Sequence, residues 1–198
     1  MGGERRPAVF LDRDGVLNAL RTERGPREIP RTPEEFVLLP GVREALQELK
    51  RHGLLLIVVT NQPDIAKGKT TWEDYAATEA RMHELLGADA DVDAVYACLH
   101  HPDPREVVVP ELLVACECRK PKPGLILQAA SEHSLDLRRS VVVGDSGTDV
   151  AAGQNAGCRT VRLRPRGATQ KEEEPHADAE AEDLLTAVPH VLRYCVHP

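Results

Sequence analysis

Asp12-Arg13-Asp14-Gly15 follows directly on a short apolar run, Ala8 to Leu11. Two more polar groups are placed the same way: Thr60-Asn61-Gln62 after Leu54 to Val59, and Gly144-Asp145-Ser146-Gly147-Thr148-Asp149 after Val141 to Val143. A fourth, Arg119-Lys120-Pro121-Lys122-Pro123-Gly124, leads into a helical stretch. Brought together, Asp12, Asp14 and Asp145 would repel one another unless a cation sat among them. Oxygen ligands of this kind suit Mg²⁺, which keeps several waters and accepts one or two carboxylates plus a phosphate. A carboxylate beside such an ion can attack phosphorus and form an acyl phosphate, splitting a hard displacement into two steps. A second aspartate two residues on can protonate the leaving oxygen and later activate water. A lysine and a hydroxyl would stabilise charge on the transferred phosphoryl group, roles open to Lys120 and Thr60. An isolated Asp-x-Asp is usually a solvated turn, and Gly-Asp after a strand is usually a turn or a helix cap. The reading rests on all four groups occurring together in this order.

A second constellation is made of soft ligands. Cys98 and His100 lie two apart, as do Cys116 and Cys118, and together they offer three thiolates and an imidazole for tetrahedral Zn²⁺. His101 is a rival to His100. The stretch between the pairs contains Pro102, Pro104 and Pro110 and needs a staple to be ordered. With no open coordination position such a zinc is structural. Cys158 reads as a packed thiol and Cys195 as a tail residue.

The elements that must position these groups follow from periodicity. Ala8–Leu11 and Leu54–Val59 are unbroken apolar runs, the pattern of buried parallel strands. Ala94–Ala97, Val141–Val143 and Thr160–Leu163 are further strands. Helical periods occupy Val42–Arg51, with Gly53 beyond; Thr71–Leu86, capped by Thr70 or Thr71 and stopped by Gly87; Gly124–His133, introduced by Pro123; and Asp149–Ala156, ended by Gly157. Strand and helix alternate, which predicts a parallel α/β sheet with helices on both faces. Ligands of such sheets bind beyond the carboxyl ends of the strands, where three of the four polar groups lie. Gly167–Glu182 reads as an Ala/Glu-rich mobile linker and Asp183–Leu192 as a closing helix that Pro189 would kink. Residues 1–167 are thus expected to form the main unit, with a loop at 98–118, and residues 168–198 a linker and helix packed on it.

Composition bounds the rest. Hydrophobic residues make up 41% and charged residues 29%, as in soluble globular proteins. A formal net charge of −7 argues against a nucleic-acid partner. The first apolar run is far too short for a signal-peptide core or a membrane span, so no membrane partner and a cytoplasmic location are expected. In that compartment the five cysteines stay reduced.

Phe10 to Asn18, Val58 to Gln62, Cys118 to Gly124, and Gly144-Asp145 through Asp149 resemble, in order, the four motifs of the haloacid dehalogenase phosphatases, and the likeness runs over residues 8–165. Within that superfamily the sequence is most similar to the branch of heptose-bisphosphate and histidinol-phosphate phosphatases. These have a Rossmann-like fold, no large cap domain, and a Cys-x-His…Cys-x-Cys zinc loop before the third motif. The resemblance implies Asp12 as nucleophile and Mg²⁺ ligand. It implies Asp14 as general acid/base with its carbonyl on the metal, and Asp145 as the acidic ligand. Thr60 and Asn61 match the phosphate-binding second motif, which Gln62 completes, and Lys120 matches the charge-stabilising lysine. Arg119, Asn18 and Lys67, the last within Ile65-Ala66-Lys67-Gly68, fall where substrate is contacted; Asp149 stands behind the metal ligands. The family match favours His100 over His101. One position departs: Ser146 stands where the family usually has Lys or Arg. The implied activity is Mg²⁺-dependent hydrolysis of a small phosphorylated sugar, a heptose 1,7-bisphosphate in the first instance, by a monomer. Histidinol phosphate is the alternative substrate, and a zinc-stapled module without catalysis the alternative of another class.

Overall fold

The computed structural model describes residues 5–21, 28–164 and 174–196. Among them the apolar runs form a six-stranded sheet, every neighbouring pair parallel, in the order β3-β2-β1-β4-β5-β6. The strands are β1 (Ala8–Leu11), β2 (Leu55–Asn61), β3 (Ala94–Cys98), β4 (Val141–Gly144), β5 (Arg159–Leu163) and β6 (Ala179–Ala181). Five helices lie between or after them: α1 (Val42–Arg51), α2 (Trp72–Leu86), α3 (Gly124–His133), α4 (Gly147–Ala156) and α5 (Leu184–Cys195). The chain steps outward from β1 to β3, then returns to place β4 on the other side of β1. That reversal opens a crevice beyond the ends of β1 and β4.

Side chains alternate along each strand, so the central strands feed two cores. Val9, Leu11, Leu56, Val58, Val141 and Val143 pack with α1, α5 and the end of α2 on one face. Ala8, Phe10, Ile57, Val59 and Val142 pack with α3 and α4 on the other. Helices cover both faces, as the alternation predicted. No helix is long and apolar enough to cross a membrane among the described residues.

Most boundaries move by a residue or two. Thr71 is the cap of α2, its hydroxyl accepting from Asp74 N, and Gly87 follows the last turn at φ +68°. Pro123 is the N-cap of α3, just outside its first turn. The helix predicted from Asp149 begins at Gly147, because Ser146 is its N-cap and Asp149 Oδ2 accepts from Ser146 N at 3.0 Å. The departure at position 146 thus has a local account: serine starts the helix.

Two expectations need correction. Part of the predicted linker is β6, held against β5 by the Asp178 carboxylate, which accepts from Thr160 N and Thr160 Oγ1 at 2.9 Å each. Residues 167–173 of that stretch lie outside the described residues. The closing helix is α5, which runs with Pro189 on its exposed side to Cys195, three residues past its expected end. Cys195, taken as a tail residue, is fully buried in the last turn.

Candidate active site

Asp12 leaves β1 with its N–H donating to Val143 O at 2.9 Å, which ties the end of β1 to β4. Its Oδ1 accepts from Arg13 N at 2.7 Å and lies 2.9 Å from Lys120 Nζ. Lys120 is 4% exposed, and its ammonium also reaches Asp149 at 2.6 Å and donates to Val59 O at 2.8 Å. It therefore bridges the carboxylates that follow β1 and begin α4. Carboxylate oxygens of Asp12, Asp145 and Asp149 lie within 4.8 Å of one another. Gly15, at φ +89°, makes this approach possible: a Cβ there would stand 2.4 Å from Asp145 Oδ2. Burial, then the nearby Asp149 carboxylate, push the Asp12 carboxyl from 3.8 up to about 7, against the pull of Lys120. Lys120 is shifted upward by Asp12 and Asp149, which outweigh its own burial.

The second polar group is turned inward. Asn61 exchanges two hydrogen bonds of 3.1 Å with the backbone of Lys120 and so pins the third motif to β2. Gln62 donates from Nε2 to Asp14 Oδ2 at 2.5 Å and to Thr60 Oγ1 at 2.9 Å. Asn18 donates to Asp14 Oδ1 at 2.9 Å. Asn18 and Gln62, expected to contact substrate, are buried and have their amide N–H groups committed to these bonds. The Asp14 carboxylate is not among the three that converge on the cation position.

The soft-ligand cluster sits at the end of β3. Cys118 Sγ is 3.2 Å from Cys98 Sγ and 3.1 Å from Cys116 Sγ, and His100 Nδ1 is 3.3 Å from Cys118 Sγ. His101 is turned away, its Nδ1 accepting from Asp103 N. The loop beyond is tied to the 63–69 turn: Val108 N donates to Ala66 O at 2.8 Å, and Ile65, Ala66 and Leu112 form a small core of their own. Lys67 pairs with Glu106 across that seam at 2.5 Å. Arg119 donates to His100 O at 3.3 Å. Burial, then the charges of Lys67 and Arg119, depress the His101 pKa.

Similarity to known proteins places the chain in a family. The HAD-hydrolase-like family profile matches residues 117–190. A D-glycero-beta-D-manno-heptose-1,7-bisphosphate 7-phosphatase of Escherichia coli (strain K12) is 38% identical over 92% of this chain and 90% of its own length. The chain belongs to this phosphatase family. Another member, from Yersinia pestis, is 42% identical over 74% of this chain and 73% of its own. The crystal structure of D,D-heptose 1,7-bisphosphate phosphatase from B. bronchiseptica, complexed with magnesium and phosphate, superposes with a TM-score of 0.80. It is 29% identical and spans 94% of this chain and 98% of that one.

In this phosphatase the donor sets fit the ions that the family implies. Three hard carboxylates, one of them raised by burial and by a like charge, favour a small divalent cation. Three thiols and an imidazole at 3.1–3.5 Å are a soft, closed set. Burial pushes the Cys98 thiol up, and burial with its two thiol neighbours pushes Cys118 up, whereas hydrogen bonds from Cys118, Cys98 and His100 outweigh burial at Cys116 and bring it down to about 7. Sequence reasoning passed over two residues. Glu106, the partner of Lys67, carries no motif signal. Arg13, only 2% exposed, had one: a cation wedged between two aspartates at a strand end.

Proposed function

We propose that this phosphatase removes the 7-phosphate of D-glycero-D-manno-heptose 1,7-bisphosphate through an aspartyl-phosphate on Asp12. Mg²⁺ would be held by Asp12, Asp145 and the Asp14 backbone carbonyl, with Asp149 behind them. The observation that carries the reading is the meeting of Asp12, Lys120 and Asp145 at the strand-order reversal. Asp12 Oδ1 is held by Lys120 and by Arg13 N, so Oδ2 makes the new bond to phosphorus. As that bond forms, the bond from phosphorus to the sugar oxygen breaks and Asp14 gives that oxygen a proton. In the second step Asp14 takes a proton from water, whose oxygen attacks phosphorus; the acyl phosphate opens and Asp12 is restored. Lys120 and the Thr60 hydroxyl offset charge on the phosphoryl oxygens. Bound Mg²⁺ adds charge neutralisation for those oxygens and for the crowded carboxylates.

Asn61 holds the Lys120 segment in register. Lys67 and Arg119 supply two cations on the zinc-loop side, which suits a sugar carrying a second phosphate. Cys98, His100, Cys116 and Cys118 would hold a structural Zn²⁺. The five cysteines, none in a disulfide, suit a reducing cytoplasm. A phosphate-release screen with and without Mg²⁺ tests the reading. The heptose bisphosphate should exceed histidinol phosphate and hexose phosphates at least tenfold in kcat/KM. A preference for histidinol phosphate would overturn the substrate, and no Mg²⁺-dependent release from any of them would overturn the activity.

A further inference from the structure

Asp14 sits inside a closed ring of donors that the proposed chemistry leaves without a role. Gln62 Nε2 reaches its Oδ2 at 2.5 Å and Asn18 Nδ2 its Oδ1 at 2.9 Å, so the carboxylate is gripped from both sides by neutral amides. Arg13 adds two longer bonds, Nε to Oδ2 at 3.2 Å and an η nitrogen to Oδ1 at 3.3 Å. The same η nitrogen makes a shorter bond, 2.8 Å, to Gln62 Oε1. That bond fixes which way the Gln62 amide faces. With its oxygen on Arg13, its nitrogen must point at Asp14 and Thr60; the flipped amide would set oxygen against a carboxylate.

All these side chains are at most 7% exposed, and Asn18 is completely buried. The amide N–H groups of Gln62 and Asn18 are already committed to partners within the protein. Arg13 and Gln62 border a narrow cleft lined also by Arg31, Asp64 and Tyr75, and the Arg13 guanidinium bonds to Asp14 and Gln62. Its pose depends on its hydrogen bonds.

We propose that Arg13, Gln62 and Asn18 are positioning residues that aim the Asp14 carboxyl at the leaving oxygen, with Arg13 acting mainly by orienting Gln62. The inference rests on the reading of Asp14 as the proton donor. A carboxyl group must come within hydrogen-bond reach of the oxygen it protonates, and a side chain left to swing between rotamers meets that requirement only part of the time. The clamp removes that freedom before substrate arrives.

The test uses leaving groups that differ in their need for a proton. The nitrophenolate of p-nitrophenyl phosphate departs unaided, whereas the alkoxide of a sugar phosphate does not. Single-turnover rates of the first half-reaction are measured for both substrates, with Mg²⁺, in the wild type, Asp14→Asn, Gln62→Met and Arg13→Met. For Gln62→Met and Arg13→Met we expect a loss of about 30-fold or more on the sugar phosphate, less than threefold on p-nitrophenyl phosphate, and KM for both within about twofold. Asp14→Asn should show the same contrast, larger. Arg13→Lys should recover part of the loss, and Gln62→Glu, of equal size but without the donor, should behave as Gln62→Met. If either methionine variant fails to fold, these two decide. A clear contrast in Asp14→Asn with none in the Gln62 and Arg13 variants would overturn the clamp alone. Equal losses on both substrates in Asp14→Asn would overturn the reading of Asp14 on which it rests.

Discussion

At the scale of single residues, Asp12 is held in a state that only a charged neighbourhood can sustain. Asp12→Asn keeps the size and the hydrogen bond to Arg13 N but cannot form an acyl phosphate. Turnover should fall at least about 10³-fold with the melting temperature unchanged within a few degrees, and beryllium fluoride should bind the wild type against Asp12. Substantial activity in a contamination-free Asp12→Asn preparation would end the nucleophile assignment. Metal and protons should also compete here. The Asp12 pKa rises from 3.8 to about 7 on folding without a cation, so the folded protein holds this proton more tightly than the unfolded chain does. That contribution to stability is complete below about pH 4 and is lost as pH rises through about 7. Mg²⁺ must displace the proton, so the rise in melting temperature on adding Mg²⁺ should be larger at pH 8 than at pH 5.5 by calorimetry; equal shifts would contradict it. The meeting of Asp12, Lys120 and Asp145 was legible in the sequence because the two aspartates follow strands and the lysine precedes a helix. Arg13 was not, because its partner Gln62 lies 49 residues away, and only the packing of β1 against β2 brings them together.

At the scale of elements, the Cys/His loop and the third motif behave as one piece. The last soft ligand, Cys118, is followed at once by Arg119 and Lys120, and Gly124 N returns to Glu117 O at 3.0 Å. A Cβ at Gly124 would fall 2.3 Å from that carbonyl, so the closure leaves no room for a side chain. Loss of the metal should be felt by substrate through this piece. Cys116→Ser is expected to raise KM several-fold and to lower stability by roughly 3 kcal/mol, about 6–12 °C in a chain of this size. That is well below the whole zinc-binding energy of a small finger, since the sheet shares the task. Wild-type protein purified without added metal should contain about one zinc per chain by elemental analysis; less than a tenth of that would remove the loop's staple. The helices and five of the strands were readable from apolar period and caps. β6 was not, because Ala-Glu-Ala is only three residues long and has no β-branched or aromatic residue, and it pairs because Asp178 and β5 supply partners.

At the scale of the whole molecule, the site draws on segments far apart in the chain, and the order of the parallel strands makes them neighbours. Asp12, Asn61, Lys120 and Asp145 all lie near the carboxyl ends of strands or in the loop bound to them. One of the two cores that hold those strands is completed by α5, where Leu184, Ala187, Val188 and Val191 are buried. Val191→Ala should cost roughly 2 kcal/mol in denaturant titrations while leaving kcat within twofold, since Val191 packs in the core that α5 shares with α1. The short β6 has a consequence for the behaviour of the protein in concentrated solution. It is only three residues long, carries Glu180 at its centre, and is fastened by Arg164, whose N–H donates to Ala181 O and whose guanidinium pairs with Glu180. A sheet margin that short and charged offers little for another molecule to zip onto. Beneath it β5 presents Thr160-Val161-Arg162-Leu163, a longer ladder with buried apolar side chains. A chain cut after Arg164 would leave that ladder bare along with the surface α5 covers, and light scattering should then find higher-order aggregates in a sample where the full-length chain stays dispersed.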